Sequence, residues 1–157
     1  MPHHIKEAEV KNAQAQWANA LVEIGQLAHD WQRARDLAEI HIKNLYDFSR
    51  PLLFKPTRAS KAPFRHCFPS CLSYFVGQNP EFPEDTGFAL VPWSRVVFDQ
   101  PHLAERGDVA VAMGHYRFVN REHPIGLKVE YTFGYHRNAD KEIKIFLHHS
   151  SLPYPHA

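Results

Sequence analysis

The sequence predicts an α+β domain in the shape of a cone, with one long N-terminal helix packed in a strongly curved antiparallel sheet. Three observations predict it. Residues 7–48 lack proline and repeat apolar side chains at helical spacing. Residues 51–92 hold most of the prolines and are broken into short pieces. Residues 93–154 alternate with period two between short polar breaks. At 157 residues the chain has the size of one domain. Helix and strands in separate blocks belong to the α+β class.

In the first block, Trp17, Leu21, Ile24, Ala28, Trp31, Ala34, Ala38, Ile42 and Leu45 form one apolar stripe. Lys11, Gln14, Arg33, Arg35 and Glu39 form the opposite face. Two tryptophans in the stripe suit packing on a sheet better than a coiled coil. At about 1.5 Å per residue such a helix crosses a whole domain. Arg50-Pro51 ends it, because the residue before proline disfavours helix.

The block 51–92 carries too many aromatic residues for a free linker and is expected to cover the mouth of a pocket. Within it, "CLSYFV" fits either a strand or a short helix. The last block reads as a meander of four strands, "SRVVF", "DVAVAMGHYRFV", "LKVEYTFGYHR" and "EIKIFLHHSS". "NREHPIG" and "NADK" are hairpin-length connections.

A formal net charge of +1 gives no field to attract nucleic acid or an anionic membrane. No run approaches the roughly 18 apolar residues that span a bilayer, and "MPHHIKEAEV" lacks the apolar core of a secretory signal. The expectation is a cytoplasmic protein. Cys67 and Cys71, in "HCFPSC", offer with His66 three zinc ligands at no recognised spacing, so free thiols are expected. His115, His136, His148 and His149 could build a metal site only if the fold gathers them, since no H-E-x-x-H spacing is present. No G-x-S-x-G elbow and no phosphate-binding glycine loop occurs.

The stretch with the most chemistry is "FLHHSSLPY", residues 146–154. On a strand, His148 and Ser150 share one face while His149 and Ser151 share the other. Simple alternation puts Ile143, Ile145 and Leu147 with His149 and Ser151. That pair faces the cavity if the apolar side packs on the helix; a bulge would exchange the faces. Lys55, Thr57, Tyr74, Asp85 and Tyr131 are further polar candidates around the mouth, each also readable as a turn former, a surface ion pair or a core aromatic.

The ordered set "LFKPT", "LSYFVG", "FPEDTGFAL", "VPWSRVVF", "VAMGHYRF", "KVEYTFGY" and "LHHSSLPY" closely resembles the iota-class carbonic anhydrases. These are relatives of the calcium/calmodulin-dependent kinase II association domain in the nuclear-transport-factor-two-like superfamily. The resemblance runs from about residue 45 to 154. It implies reversible hydration of carbon dioxide to bicarbonate and self-association as a homodimer. It also implies that no cofactor is needed, with zinc or manganese left open because some relatives are reported to use one. Carried over, the family's pocket threonine falls on Thr57 and its tyrosine on Tyr74. Its His-x-Ser falls on His149/Ser151 or on His148/Ser150. The hydroxyls would then hold bicarbonate and the histidine would pass protons. The different function that the same relatives imply is a non-catalytic, oligomeric hub.

Overall fold

The computed structural model describes residues 4–155. In chain order the elements are α1 (Glu7–Gln26), α2 (Trp31–Leu45), β1 (Leu53–Lys55), α3 (Phe68–Val76), β2 (Arg95–Phe98), β3 (His102–Arg106), β4 (Val109–Val119), β5 (Leu127–Arg137) and β6 (Ile143–Ser151). The sheet runs β1-β6-β5-β4-β2, and β3 also pairs with β4. Strands β2 and β3 divide one edge of β4 between them: β2 takes residues 116–119 and β3 takes 109–113. The helices fill the concave face, where one continuous core joins all the layers.

Four expectations are corrected. The long helix is two helices. The Asp30 carboxylate accepts the Arg33 backbone N–H at 3.3 Å and so caps a fresh start, which lets α2 turn away from α1 over residues 27–30. The block 51–92 is not irregular throughout. "CLSYFV" lies in α3, which opens on Phe68-Pro69 and stops at Gly77, whose φ of 68° suits glycine. The sheet is mixed rather than antiparallel, because β1 pairs parallel with β6. The meander contains an additional strand, β3, joined to β4 by a tight turn at Gly107 (φ 66°). Its exposed His102, Glu105 and Arg106 hid it from a pattern that looks for apolar alternation.

Trp17 of α1 is the centre of the core. Its ring meets Phe75, Phe98, Tyr116, Phe118 and Phe133 at centroid distances of 5.5–6.5 Å. Truncating a buried ring of this size costs about 3–5 kcal/mol. Gln14, expected on the outer face of the helix, is instead buried one turn away and donates to Tyr131 Oη at 3.1 Å.

Strand β6 carries a bulge that decides what the cone contains. Tyr135 opposes Ile145 but Gly134 opposes Leu147, so Phe146 is one residue too many. Gly134 makes this possible: a Cβ there would lie 2.8 Å from Phe146 Cζ and 2.9 Å from Leu147 Cβ. Phe146 and Leu147 therefore both stay outside while Ile145 and His148, three apart, are both buried.

Candidate active site

Past the bulge, His148 and Ser150 point into the cone and are 2% and 1% exposed. His149 is exposed and Ser151 is half-buried on the outer face. The alternation that put His149 and Ser151 with the apolar face is overturned by the extra residue at Phe146.

The His148 ring lies between Phe133 and Phe54, its neighbours on β5 and β1, at centroid distances of 3.9 and 4.9 Å. Its Nδ1 is 2.8 Å from Tyr46 Oη, which itself accepts the Trp17 indole N–H at 2.9 Å. Its Nε2 is 3.1 Å from Tyr116 Oη. From there hydroxyls run toward the mouth: Tyr116 Oη to Ser150 Oγ at 2.5 Å, then Ser150 Oγ to Thr57 Oγ1 at 2.6 Å. Tyr74 Oη accepts the Arg58 backbone N–H at 3.2 Å. Lys55 Nζ donates to the Ser150 carbonyl at 3.1 Å.

Burial sets the charge of this cluster. It pushes the His148 imidazolium pKa well below its ordinary 6.5, with the neighbouring His149 adding to the effect. It pushes the Tyr74 phenol up to about 12 and raises those of Tyr46 and Tyr116. Near neutral pH the site therefore offers five neutral hydroxyl-bearing side chains, Tyr46, Thr57, Tyr74, Tyr116 and Ser150, around a neutral imidazole.

The loop after β1 that carries Thr57 is pinned from below. Arg65 is fully buried and grips Asp85 through two hydrogen bonds of 2.7 and 2.8 Å. It also donates to the carbonyls of Ala62 and Ser70, and Ser73 Oγ donates to Asp85 at 2.6 Å. The Glu84 carboxylate accepts the backbone N–H groups of Ser60, Ala62 and Lys61, which hold its pKa down at about 2. Arg58, next to Thr57, lies over the rings of Phe88 and Trp93.

Of the candidates from sequence, Thr57, Tyr74, His148 and Ser150 come together and Lys55 reaches the backbone beside them. His149 and Ser151 do not join them. Asp85 is a buried support for the loop, and Tyr131 is engaged with Gln14. His136 pairs with Asp47 at 2.6 Å and His115 with Glu130 at 3.6 Å, so the histidines are not gathered. Cys67 is exposed and Cys71 buried, both as free thiols. Among the described residues, no group of three or more His, Cys, Asp or Glu could hold a metal ion. Sequence reasoning missed Tyr116 and Tyr46. Tyr116 alternates with Phe118 on the inner face of β4, and nothing local separates a hydrogen-bonding tyrosine from a core aromatic.

Fold and site together define a class, an α+β cone that gathers neutral hydroxyls around a buried imidazole. Comparison narrows the class: a sequence profile of the metal-independent carbonic anhydrases matches residues 8–152, and the chain belongs to that family. It is a carbonic anhydrase, an enzyme of reversible carbon dioxide hydration. A metal-independent carbonic anhydrase of Nostoc sp. (strain PCC 7120) is 37% identical over 154 residues, covering 96% of this chain and 75% of the relative. The crystal structure of an iota-carbonic anhydrase from a cyanobacterium, complexed with bicarbonate, superposes with a TM-score of 0.92 at 35% identity, covering 99% and 97% of the two chains. An NTF2-like dehydratase-type protein from Streptomyces avermitilis shares the fold at a TM-score of 0.54 and 16% identity, over 94% and 96% of the chains.

Proposed function

We propose that carbon dioxide hydration runs at the mouth formed by Thr57, Tyr74, Tyr116 and Ser150, without a metal ion. The observation that carries this is the unbroken run of hydrogen bonds from buried His148 through Tyr116 and Ser150 to Thr57. A water held at the mouth attacks the carbon. The new C–O bond forms as a C=O π pair moves onto an oxygen, and the water proton leaves to solvent or buffer. Thr57 and Tyr74 donate hydrogen bonds to the oxygen that gains charge. His148, neutral and a weak base, orients Tyr116 rather than carrying the proton.

Magnitudes make this reasonable. Zinc lowers the pKa of bound water from 15.7 to about 7, worth roughly 12 kcal/mol in hydroxide formation. One aimed donor is worth about 3–4 kcal/mol where charge develops. Two or three donors with a positioned water approach that size, at a slower rate than a zinc enzyme.

The test is carbon dioxide hydration by stopped flow on chelator-treated protein. Ser150→Ala is expected to lose about 100-fold or more in kcat/KM, and Ser151→Ala to stay within about twofold. Full activity of Ser150→Ala would remove the site. Work in the cytoplasm as a homodimer is part of the same proposal. None of the helices among the described residues is long and apolar enough to cross a membrane. Light scattering on active protein reads the oligomer.

A further inference from the structure

An indole nitrogen donates a hydrogen bond and cannot accept one. Trp17 Nε1 lies 2.9 Å from Tyr46 Oη, so Tyr46 accepts there. Among the described residues the other partner of that hydroxyl is His148 Nδ1. Tyr46 is buried, so its own hydrogen either goes to Nδ1 or goes unmatched in the core. Nδ1 is therefore the acceptor, and the imidazole hydrogen sits on Nε2. Each later link takes its direction from the one before it. Nε2–H donates to Tyr116, Tyr116 to Ser150, and Ser150 to Thr57. Tyr74 repeats the logic, because the Arg58 backbone N–H is also a fixed donor and leaves the phenol hydrogen free to point away.

We infer that Trp17 is a positioning residue that sets the direction of this chain from the core, so that the hydroxyl hydrogens at the mouth point toward substrate oxygens. The inference rests on the site proposed above. In the reversed chain His148 would carry its hydrogen on Nδ1, the Tyr46 hydrogen would be unmatched, and the mouth would turn lone pairs toward an oxygen that is gaining negative charge. Direction thus separates a mouth that stabilises bicarbonate formation from one that opposes it. The neutral imidazole suits this part, since a ring with both nitrogens protonated could not accept from Tyr46.

The experiment is nitrogen NMR of histidine-labelled full-length protein, with His148 assigned by the signal lost in His148→Asn. Wild type is expected to show one tautomer, protonated at Nε2, in about tenfold or greater excess. Trp17→Phe keeps a ring in place and removes the donor. It is expected to populate the second tautomer visibly and to lower kcat for hydration about tenfold with KM for carbon dioxide within about twofold. By the equilibrium constraint, kcat/KM for bicarbonate in the reverse reaction then falls by the same factor. Where Trp17→Phe folds poorly, Tyr46→Phe breaks the same link and the wild-type tautomer decides by itself. A wild-type His148 protonated at Nδ1 overturns the inference, as does a Trp17→Phe protein with an unchanged tautomer or an unchanged kcat. A fully active Ser150→Ala protein would instead sink the site while leaving the tautomer as assigned.

Discussion

Ser150 and Ser151 are chemically identical neighbours, and only their surroundings make one a candidate for catalysis. Ser150 is buried between Tyr116 and Thr57 at 2.5 and 2.6 Å, whereas Ser151 looks outward. Tyr116 is the residue on which the pair of groups from β6 depends, because its one hydroxyl serves both His148 and Ser150. Tyr116→Phe keeps the ring stack on Trp17 and removes that hydroxyl. It leaves the buried His148 N–H unmatched at about 1–3 kcal/mol. The expected outcome is a hydration kcat lowered about 10- to 100-fold and a reduced thermal midpoint, read by stopped flow and by melting of the same preparation. Thr57 and Tyr74 entered as candidates through the family resemblance that "LFKPT" and "LSYFVG" carry, since each alone reads as readily as a structural residue. The His-Ser pair was legible only to within one residue, and Tyr116 not at all, since its role comes from partners 32 and 34 positions away.

The two elements that position the site are a bulge and a pinned loop, and both depend on contacts that local pattern does not encode. Helix, proline-broken segment and strands were readable from periodicity. The helix break also left a trace in Asp30, a good cap residue. The bulge left only a glycine, and its meaning appears once Phe146 is seen lying against it. Gly134→Val would force Phe146 and Leu147 away at an overpacking cost of about 1–3 kcal/mol. If the register slips to remove the extra residue, His148 and Ser150 turn outward. The expected result is loss of most activity, with a stability change measurable in urea. Retained activity would mean that the faces are set elsewhere. The loop makes a parallel case. Asp85→Asn removes the two-bonded charge partner of buried Arg65 and leaves it only the Glu84 carboxylate, 3.8 Å away, at up to about 3–5 kcal/mol. Proteolysis should then cut sooner between residues 57 and 65. Asp85 had been readable as a surface ion pair because sequence does not show that Arg65 is buried beneath the loop.

At the scale of the whole molecule, the cone keeps an uncharged ionisable cluster buried, and that gives stability a pH dependence of definite sign. His148 has a folded pKa held well below 6.5 by burial, while an unfolded histidine titrates near 6.5. Below that value the unfolded chain takes up a proton that the folded chain refuses. Stability is therefore fully present above about pH 6.5 and falls as the pH drops. The depressed carboxylates Glu9, Asp47 and Glu84 work in the same direction but lower down, since their unfolded forms gain protons only near pH 4 to 4.5. The interval from pH 7 to 5.5 consequently isolates the imidazole from those carboxylates. Integrating one unfolded-state histidine over it gives a loss on the order of 1 kcal/mol. Urea unfolding at the two pH values should show wild type losing that much more than His148→Asn, whose side chain does not titrate. Hydration kcat at constant buffer should show no limb near pH 6.5 from this residue, because the folded imidazole stays neutral throughout. A stability difference of the opposite sign would mean that His148 is charged in the fold, and a charged imidazole could not accept the Tyr46 hydrogen bond on which the donor direction at the mouth depends.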